Sequence, residues 1–168
     1  WLTPTSAEEP FQDRPYEVSI SAACGLNVLK DYFFADSLGT FPIGKMSLMK
    51  IISLCLSTTG LDLGIKSAVD IYEEDMDFGD NLGQLDRSEI DTDGLRGLTC
   101  WDVLSGVISQ FNAYIGQEKG YWKIQGVLET GVRGGWVRTY TSGGVFQSRV
   151  LEDNLVSFSR RYGTPFDV

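Results

Sequence analysis

The stretch Thr99–Ile124 limits most sharply what this chain can fold into. Thr99 precedes an apolar stripe of Cys100, Val103, Leu104, Val107, Ile108 and Phe111, while Asp102, Ser105, Ser109 and Asn112 fall on the other side. That period is helical, and one face of the helix must find a core. Thr99 is placed to cap it, with Asp102 at the capping-box position. Residues Gln117 to Gly120 then turn the chain, and Tyr121 to Gln125 return as a strand. A helix flowing straight into a β-hairpin predicts an α+β fold. The stripe from Cys100 to Phe111 is the expected core.

Residues on either side follow the same grammar. Tyr16, Val18, Ile20 and Ala22 alternate with Glu17, Ser19 and Ser21, which reads as a half-buried strand. Cys24-Gly25-Leu26 ends it, and Asn27 to Phe34 fit either a short helical turn or a second strand. Asp36 to Gly44 read as a loop. Leu48, Ile51, Ile52 and Cys55 repeat at helical spacing within Met46–Thr58, and Gly60 stands where a C-cap belongs. Residues 61–72 look extended. A second hairpin is expected from Trp136 to Thr141 and Val145 to Leu151, with Gly143-Gly144 as a two-residue type I′ turn.

The expected architecture is therefore small mixed modules of antiparallel β-hairpins packed with two amphipathic helices. Residues 1–14 read as a linker or arm. Residues 15–98 form a strand-helix-strand module ending in an acidic loop at 73–98. Residues 99–151 form a helix plus two hairpins, and 152–168 a tail. The chain begins at Trp1 with no basic leader pattern, so it reads as a piece of a longer polypeptide.

Charge and composition narrow the chemistry. The net charge of −9 is uneven: residues 1–100 hold 17 acids against 7 bases, and the remainder 6 against 7. An acidic first half disfavours a nucleic-acid backbone or an anionic membrane, and suits solubility, a cation or a basic protein partner. No apolar run approaches the roughly 20 residues of a membrane helix. The sequence has no histidine, so the commonest general base and metal ligand are missing. The 3 cysteines, Cys24, Cys55 and Cys100, are widely spaced and match neither a disulfide framework nor a zinc pattern. They read as small buried hydrophobes.

Ten carboxylates crowd between Asp70 and Asp93 with only Arg87 for company. Asp75-x-Asp77-x-Gly79-Asp80 loosely suggests a calcium loop. Its glycine is misplaced for an EF-hand, however, and Asp86 stands where a bidentate Glu is required. A solvated or partner-facing acidic surface is the expectation. The serines lack a histidine and a Gly-x-Ser-x-Gly turn. Residues Gly131 to Gly135 and Gly44-Lys45 lack phosphate-loop context. No catalytic, cofactor or metal residue is assigned. The aromatics Trp101, Phe111, Tyr114, Tyr121, Trp122, Trp136, Tyr140 and Phe146 read mainly as core and cross-strand pairs.

Three blocks occur in an order that resembles structural tail proteins of phages and prophages of Bacteroides-type bacteria, from the baseplate or tail-tip hub region. They are Pro15 to Lys30, Ser47 to Leu63 continuing to Ile71-Tyr72-Glu73, and Thr99 to Ile124 with its Cys-x-x-Val-Leu helix and Gly-x-Trp-x-Ile strand. Cys24 departs from the pattern, where an Asp is expected before Gly25-Leu26. The resemblance implies a non-enzymatic building block of the virion tail, assembled in the bacterial cytoplasm. Its partners would be itself, as a homo-oligomer around the tail axis, and other tail proteins. It implies neither nucleic-acid binding nor membrane insertion, and leaves room for cell-surface contact. A carbohydrate- or surface-binding module using Trp122, Trp136 or Tyr140 is the alternative, and an enzyme-associated domain stands behind it.

Overall fold

Three sheets and three α-helices make up the computed structural model, which describes residues 2–8, 19–36, 38–69, 80–127 and 135–152. The first strands, β1 (Leu2–Glu8) and β2 (Ser19–Cys24), pair antiparallel with a bulge between Pro4 and Ser6. Part of the expected N-terminal arm is thus a strand. A 3₁₀ helix, Gly25–Lys30, follows directly and buries Leu26 and Leu29. Of the two readings open for this stretch, the helical turn is the one formed. A short strand β3 (Lys45–Ser47) leads into helix α1 (Leu48–Ser57). Met46 was expected in the helix; it lies in β3 because Ser47 is the N-cap, its side chain accepting from the Lys50 N–H at 3.3 Å. Gly60 has φ 72°, the left-handed conformation its place after the helix requires.

The acidic stretch was expected as a structureless loop. Its described part, residues 80–98, is largely ordered instead. It contains a one-turn helix α2 (Gln84–Arg87), a strand β5 (Glu89–Asp91) paired with β3, and a 3₁₀ turn, Thr92–Leu95. Three inward residues explain this: Gln84, Leu85 and Thr92 are buried. They occur too irregularly for a sequence period to show. The fully buried Thr92 hydroxyl lies 2.7 Å from the Pro42 carbonyl and 2.9 Å from that of Gly44. Residues 70–79, and with them the calcium-like Asp75 and Asp77, lie outside the described residues.

Helix α3 (Cys100–Gln110) forms as the sequence predicts, including the capping box. Thr99 Oγ1 accepts from the Asp102 N–H at 3.1 Å, and Asp102 Oδ2 accepts from the Thr99 N–H at 3.3 Å. The stripe Cys100, Val103, Leu104, Val107 and Ile108 is buried, with Phe111 half-buried. Strands β6 (Ala113–Glu118) and β7 (Tyr121–Gly126) follow as a hairpin. Its turn, Lys119-Gly120, has positive φ at both residues, 49° and 80°, as a type I′ loop demands.

The second hairpin, β8 (Gly135–Tyr140) and β9 (Phe146–Glu152), has a different turn from the one expected. Of Gly143 and Gly144 only Gly144 has positive φ. Its N–H donates to the Thr141 carbonyl, and the Thr141 N–H donates to the Val145 carbonyl. The loop therefore has three residues, a turn followed by a left-handed glycine. This loop docks on α1: a Cβ on Gly144 would lie 3.0 Å from Ser53 Oγ and 3.2 Å from the Met49 carbonyl.

Both hairpins join one five-stranded sheet of order β6-β7-β4-β8-β9, with β4 (Gly64–Ala68) at its centre. Strand β4 runs parallel to β7 and antiparallel to β8. The sheet and core are thus continuous across the junction expected at residues 98 and 99. The registers place Ile65, Ser67, Trp122, Ile124, Arg138 and Tyr140 on the face that meets α1 and α3. Ile65, Trp122, Ile124 and Tyr140 share one hydrophobic core with Ile51, Ile52, Cys55, Leu104 and Val107. On the opposite face, Lys123 pairs diagonally with Glu118 at 3.2 Å. Among the described residues no helix is long and apolar enough to cross a membrane.

Candidate interaction surface

Large apolar side chains should be driven inward, so a group of them held outward needs a reason. Phe33 is 69% exposed, Leu38 87%, Ile43 82% and Tyr32 52%, and Leu98 beside them is also exposed. They sit on the segment 31–44 and on the residue hydrogen-bonded to it.

The segment is tied down along its length. The Phe34 N–H donates to the Leu98 carbonyl at 2.9 Å, and the Cys100 N–H, an orphan donor at the start of α3, donates to the Tyr32 carbonyl at 2.8 Å. Asp36 Oδ1 accepts from the Leu38 N–H at 2.9 Å and the Thr40 N–H at 2.8 Å, closing a polar turn beneath Leu38. Phe34 is buried and meets Phe41 edge-on at 6.2 Å, and the Arg96 guanidinium lies 4.3 Å from the Phe41 ring centre. The N–H groups of Phe34, Asp36, Leu38, Gly39 and Thr40 have partners, and Phe34 and Phe41 pack on each other. Phe33, Leu38 and Ile43 therefore point outward from a fixed frame.

A polar cluster elsewhere joins the acidic stretch to the sheet. The Tyr140 hydroxyl donates to Asp86 Oδ2 at 2.7 Å, and the Gly83 N–H donates to the same oxygen at 2.9 Å. Burial, reinforced by the Asp86 charge and hydrogen bond, pushes the Tyr140 phenol far above its ordinary value. The Arg138 Nε–H donates to the Asn81 carbonyl at 3.1 Å. Gly83 is needed here because a Cβ would sit 3.1 Å from that nitrogen. Asp80 pairs with Arg87 at 2.8 Å, and Arg149 Nη1 donates to the Asp80 carbonyl.

The described acids therefore divide. Asp80 and Asp86 are half-buried and partnered, whereas Glu89, Asp91 and Asp93 face solvent. Among the described residues no group of three or more Cys, Asp or Glu could hold a metal ion.

The aromatics proposed for sugar stacking do not make a platform. Trp122 and Tyr140 are each 1% exposed in the core, so neither offers a ring face to a ligand. Trp136 is half-buried, with the Arg149 guanidinium 3.9 Å from its ring centre. Alternation along the strands could not distinguish an inward aromatic from an outward one, because which face is covered depends on α1 and α3. Cys55 and Cys100 are free, fully buried and in contact across α1 and α3. The hydrogen bond to Cys100, together with burial, drives the Cys55 thiol far up and keeps it protonated. Two shallow cavities, of about 310 and 380 Å³, flank Leu61 and Leu63.

Sequence reasoning assigned no site residues, and Tyr32, Phe33, Leu38 and Ile43 passed unremarked. The available signal was three large apolar residues, Leu38, Phe41 and Ile43, inside a segment whose Gly39, Pro42 and Gly44 mark it as a loop. No protein-family model, curated protein or solved structure matches the chain.

Proposed function

We propose that the chain is a non-enzymatic structural component of a phage or prophage tail, in the baseplate or tail-tip hub region, working through protein–protein interfaces. The observation that carries this is the display of Phe33, Leu38 and Ile43, 69–87% exposed, on a hydrogen-bonded frame. Such a display stores apolar area for association, since ordering costs are met before the partner arrives. The three sequence blocks that resemble tail proteins supply the biological setting, and Leu48–Ser57 and Cys100–Gln110 form the helices that two of those blocks imply. Self-association around the tail axis and contacts with other tail proteins follow from the same reading.

The test is composition. Particles induced from the source bacterium and purified by density gradient should yield peptides of this chain by mass spectrometry, in stoichiometry with other tail proteins. Intact tails that lack those peptides would overturn the proposal.

A further inference from the structure

Two thiols that the assembly reading does not use meet inside the core. Cys55 lies in the last turn of α1, Cys100 opens α3, and both are 0% exposed. The Cys55 thiol donates a hydrogen bond to the Cys100 sulfur. The Thr58 hydroxyl, at the C-cap of α1, reaches the same sulfur, and the Phe33 carbonyl lies 3.6 Å from it. A cysteine that serves only as a small hydrophobe needs no sulfur partner, and here each sulfur has the other.

The contact is also asymmetric. The hydrogen bond from Cys55, helped by Thr58 and opposed by burial, holds the Cys100 thiol below its ordinary value. Cys55, the donor, keeps its proton. The thiolate is the form that attacks, so Cys100 is the nucleophile and Cys55 the partner beside it. Access favours the same sulfur. Phe33, which touches Cys100, is 69% exposed, and an isolated bridge to Thr99 pairs it with the start of α3.

We infer that Cys55 and Cys100 are an oxidation site, which closes into a disulfide between α1 and α3 when the chain meets a peroxide. Local opening of the Phe33–Thr99 edge admits the oxidant. The Cys100 thiolate attacks one peroxide oxygen, the O–O bond breaks, and hydroxide leaves to become water. Cys100 is then a sulfenic acid. The Cys55 sulfur attacks the Cys100 sulfur, the S–O bond breaks, and the Cys55 proton goes with the departing hydroxide as a second water. Two thiols have lost two electrons, and the peroxide has gained them. What remains between the contact and the bond is closure to about 2 Å between the sulfurs. The linkage would staple the two helices that share the core and close a loop over residues 55–100, which restrains the unfolded chain.

The test starts from the full chain reduced with dithiothreitol, freed of reductant and exposed to hydrogen peroxide under native conditions. Intact mass should fall by two hydrogens, and peptide mapping without reductant should give one linked pair, Cys55 with Cys100. The oxidised protein should melt about 5–15 °C higher, and dithiothreitol should reverse the shift. With Cys55→Ser the sulfenic acid has no resolving thiol, so dimedone should label Cys100. With Cys100→Ser, dimedone should leave Cys55 unlabelled.

Four outcomes would overturn the inference: a linkage that uses Cys24, oxidation of Cys55 or Cys100 to sulfinic or sulfonic acid without a linkage, thiols that survive peroxide sufficient to oxidise free cysteine, or a linked protein that melts lower than the reduced one. The mapping and the melt use the parent chain, so they decide the matter even if a serine variant fails to fold. The inference does not rest on the assembly reading. Tails lacking the chain would end the tail assignment and leave the thiol chemistry standing.

Discussion

Replacing Tyr140 with Phe isolates one hydrogen bond, because the ring can stay where it is. Tyr140 is 1% exposed, and its ring meets Phe146 edge-on at 6.0 Å, a contact that Phe preserves. What disappears is the hydroxyl donated to Asp86 Oδ2 at 2.7 Å. A hydrogen bond to a charged group contributes about 1.5–3 kcal/mol. Asp86 is half-buried and keeps the Gly83 N–H at 2.9 Å, so the low end applies. Tyr140→Phe should cost about 1.5–2 kcal/mol at pH 7, or roughly 3–8 °C in Tm for a domain of this size. Alkaline pH supplies the sharper signature. The folded phenol is held far above its ordinary value of 10, by burial first and then by Asp86. Above pH 10 the unfolded chain therefore releases a proton that the folded chain retains. The unfolded state binds fewer protons, so stability falls as pH rises, by up to about 1.4 kcal/mol per pH unit. The Phe variant lacks this loss. Urea unfolding followed by tryptophan fluorescence should show the parent ahead at pH 7 and the two converging at roughly pH 11–11.5. Curves that stay parallel to pH 11.5, or that coincide at pH 7, would refute the assignment of a buried, charge-coupled hydroxyl.

Other perturbations read other parts of the structure. Gly144→Ala combines positive φ with a Cβ 3.0 Å from Ser53 Oγ, and should lose more than about 1 kcal/mol in chemical denaturation. Gly60→Ala, at φ 72° with nothing within 4 Å, isolates the backbone strain and should lose less in the same assay. Thr99→Ala removes the capping side chain of α3 and should cost about 1 kcal/mol, measured by urea midpoint at unchanged m. Cys55 and Cys100 are fully buried, so peptide mapping after iodoacetamide should find both unmodified in the native protein and both modified in urea.

What could be read in advance was whatever residues decide among near neighbours. The α3 cap needs only Thr99 and Asp102, three positions apart, and the β6–β7 turn needs only Lys119 and Gly120. Both were accessible from spacing. The β8–β9 loop was misread because a Gly-Gly pair suits two-residue and three-residue loops alike, and its contact with Ser53 and Met49 on a distant helix leaves no local trace. The same limit applies to residues 80–98. Thr92 points inward to the Pro42 and Gly44 carbonyls, Leu85 joins the shared core, and Arg138 and Tyr140 of the sheet hold Asn81 and Asp86, and no period within the segment records that. The parallel pairing of β4 with β7 joins elements on either side of α3 and leaves no local trace. The candidate surface was hidden for a complementary reason. An apolar residue in a loop is ambiguous until the core is full, and only then do Phe33, Leu38 and Ile43 stand out as surplus.

The sheet order has one more consequence. The central strand, Gly64–Ala68, is made before either hairpin that flanks it. A growing chain therefore exposes a strand with two bare edges, while each hairpin that follows can close locally and wait. Severed between residues 98 and 99, the molecule would give one piece holding the keystone and another holding the arch. Neither piece has a complete sheet, and each presents the hydrogen-bonding edge that the other lacks. The topology thus marks this chain as a candidate for fragment complementation, with recovery of the native tryptophan signal on mixing as its sign.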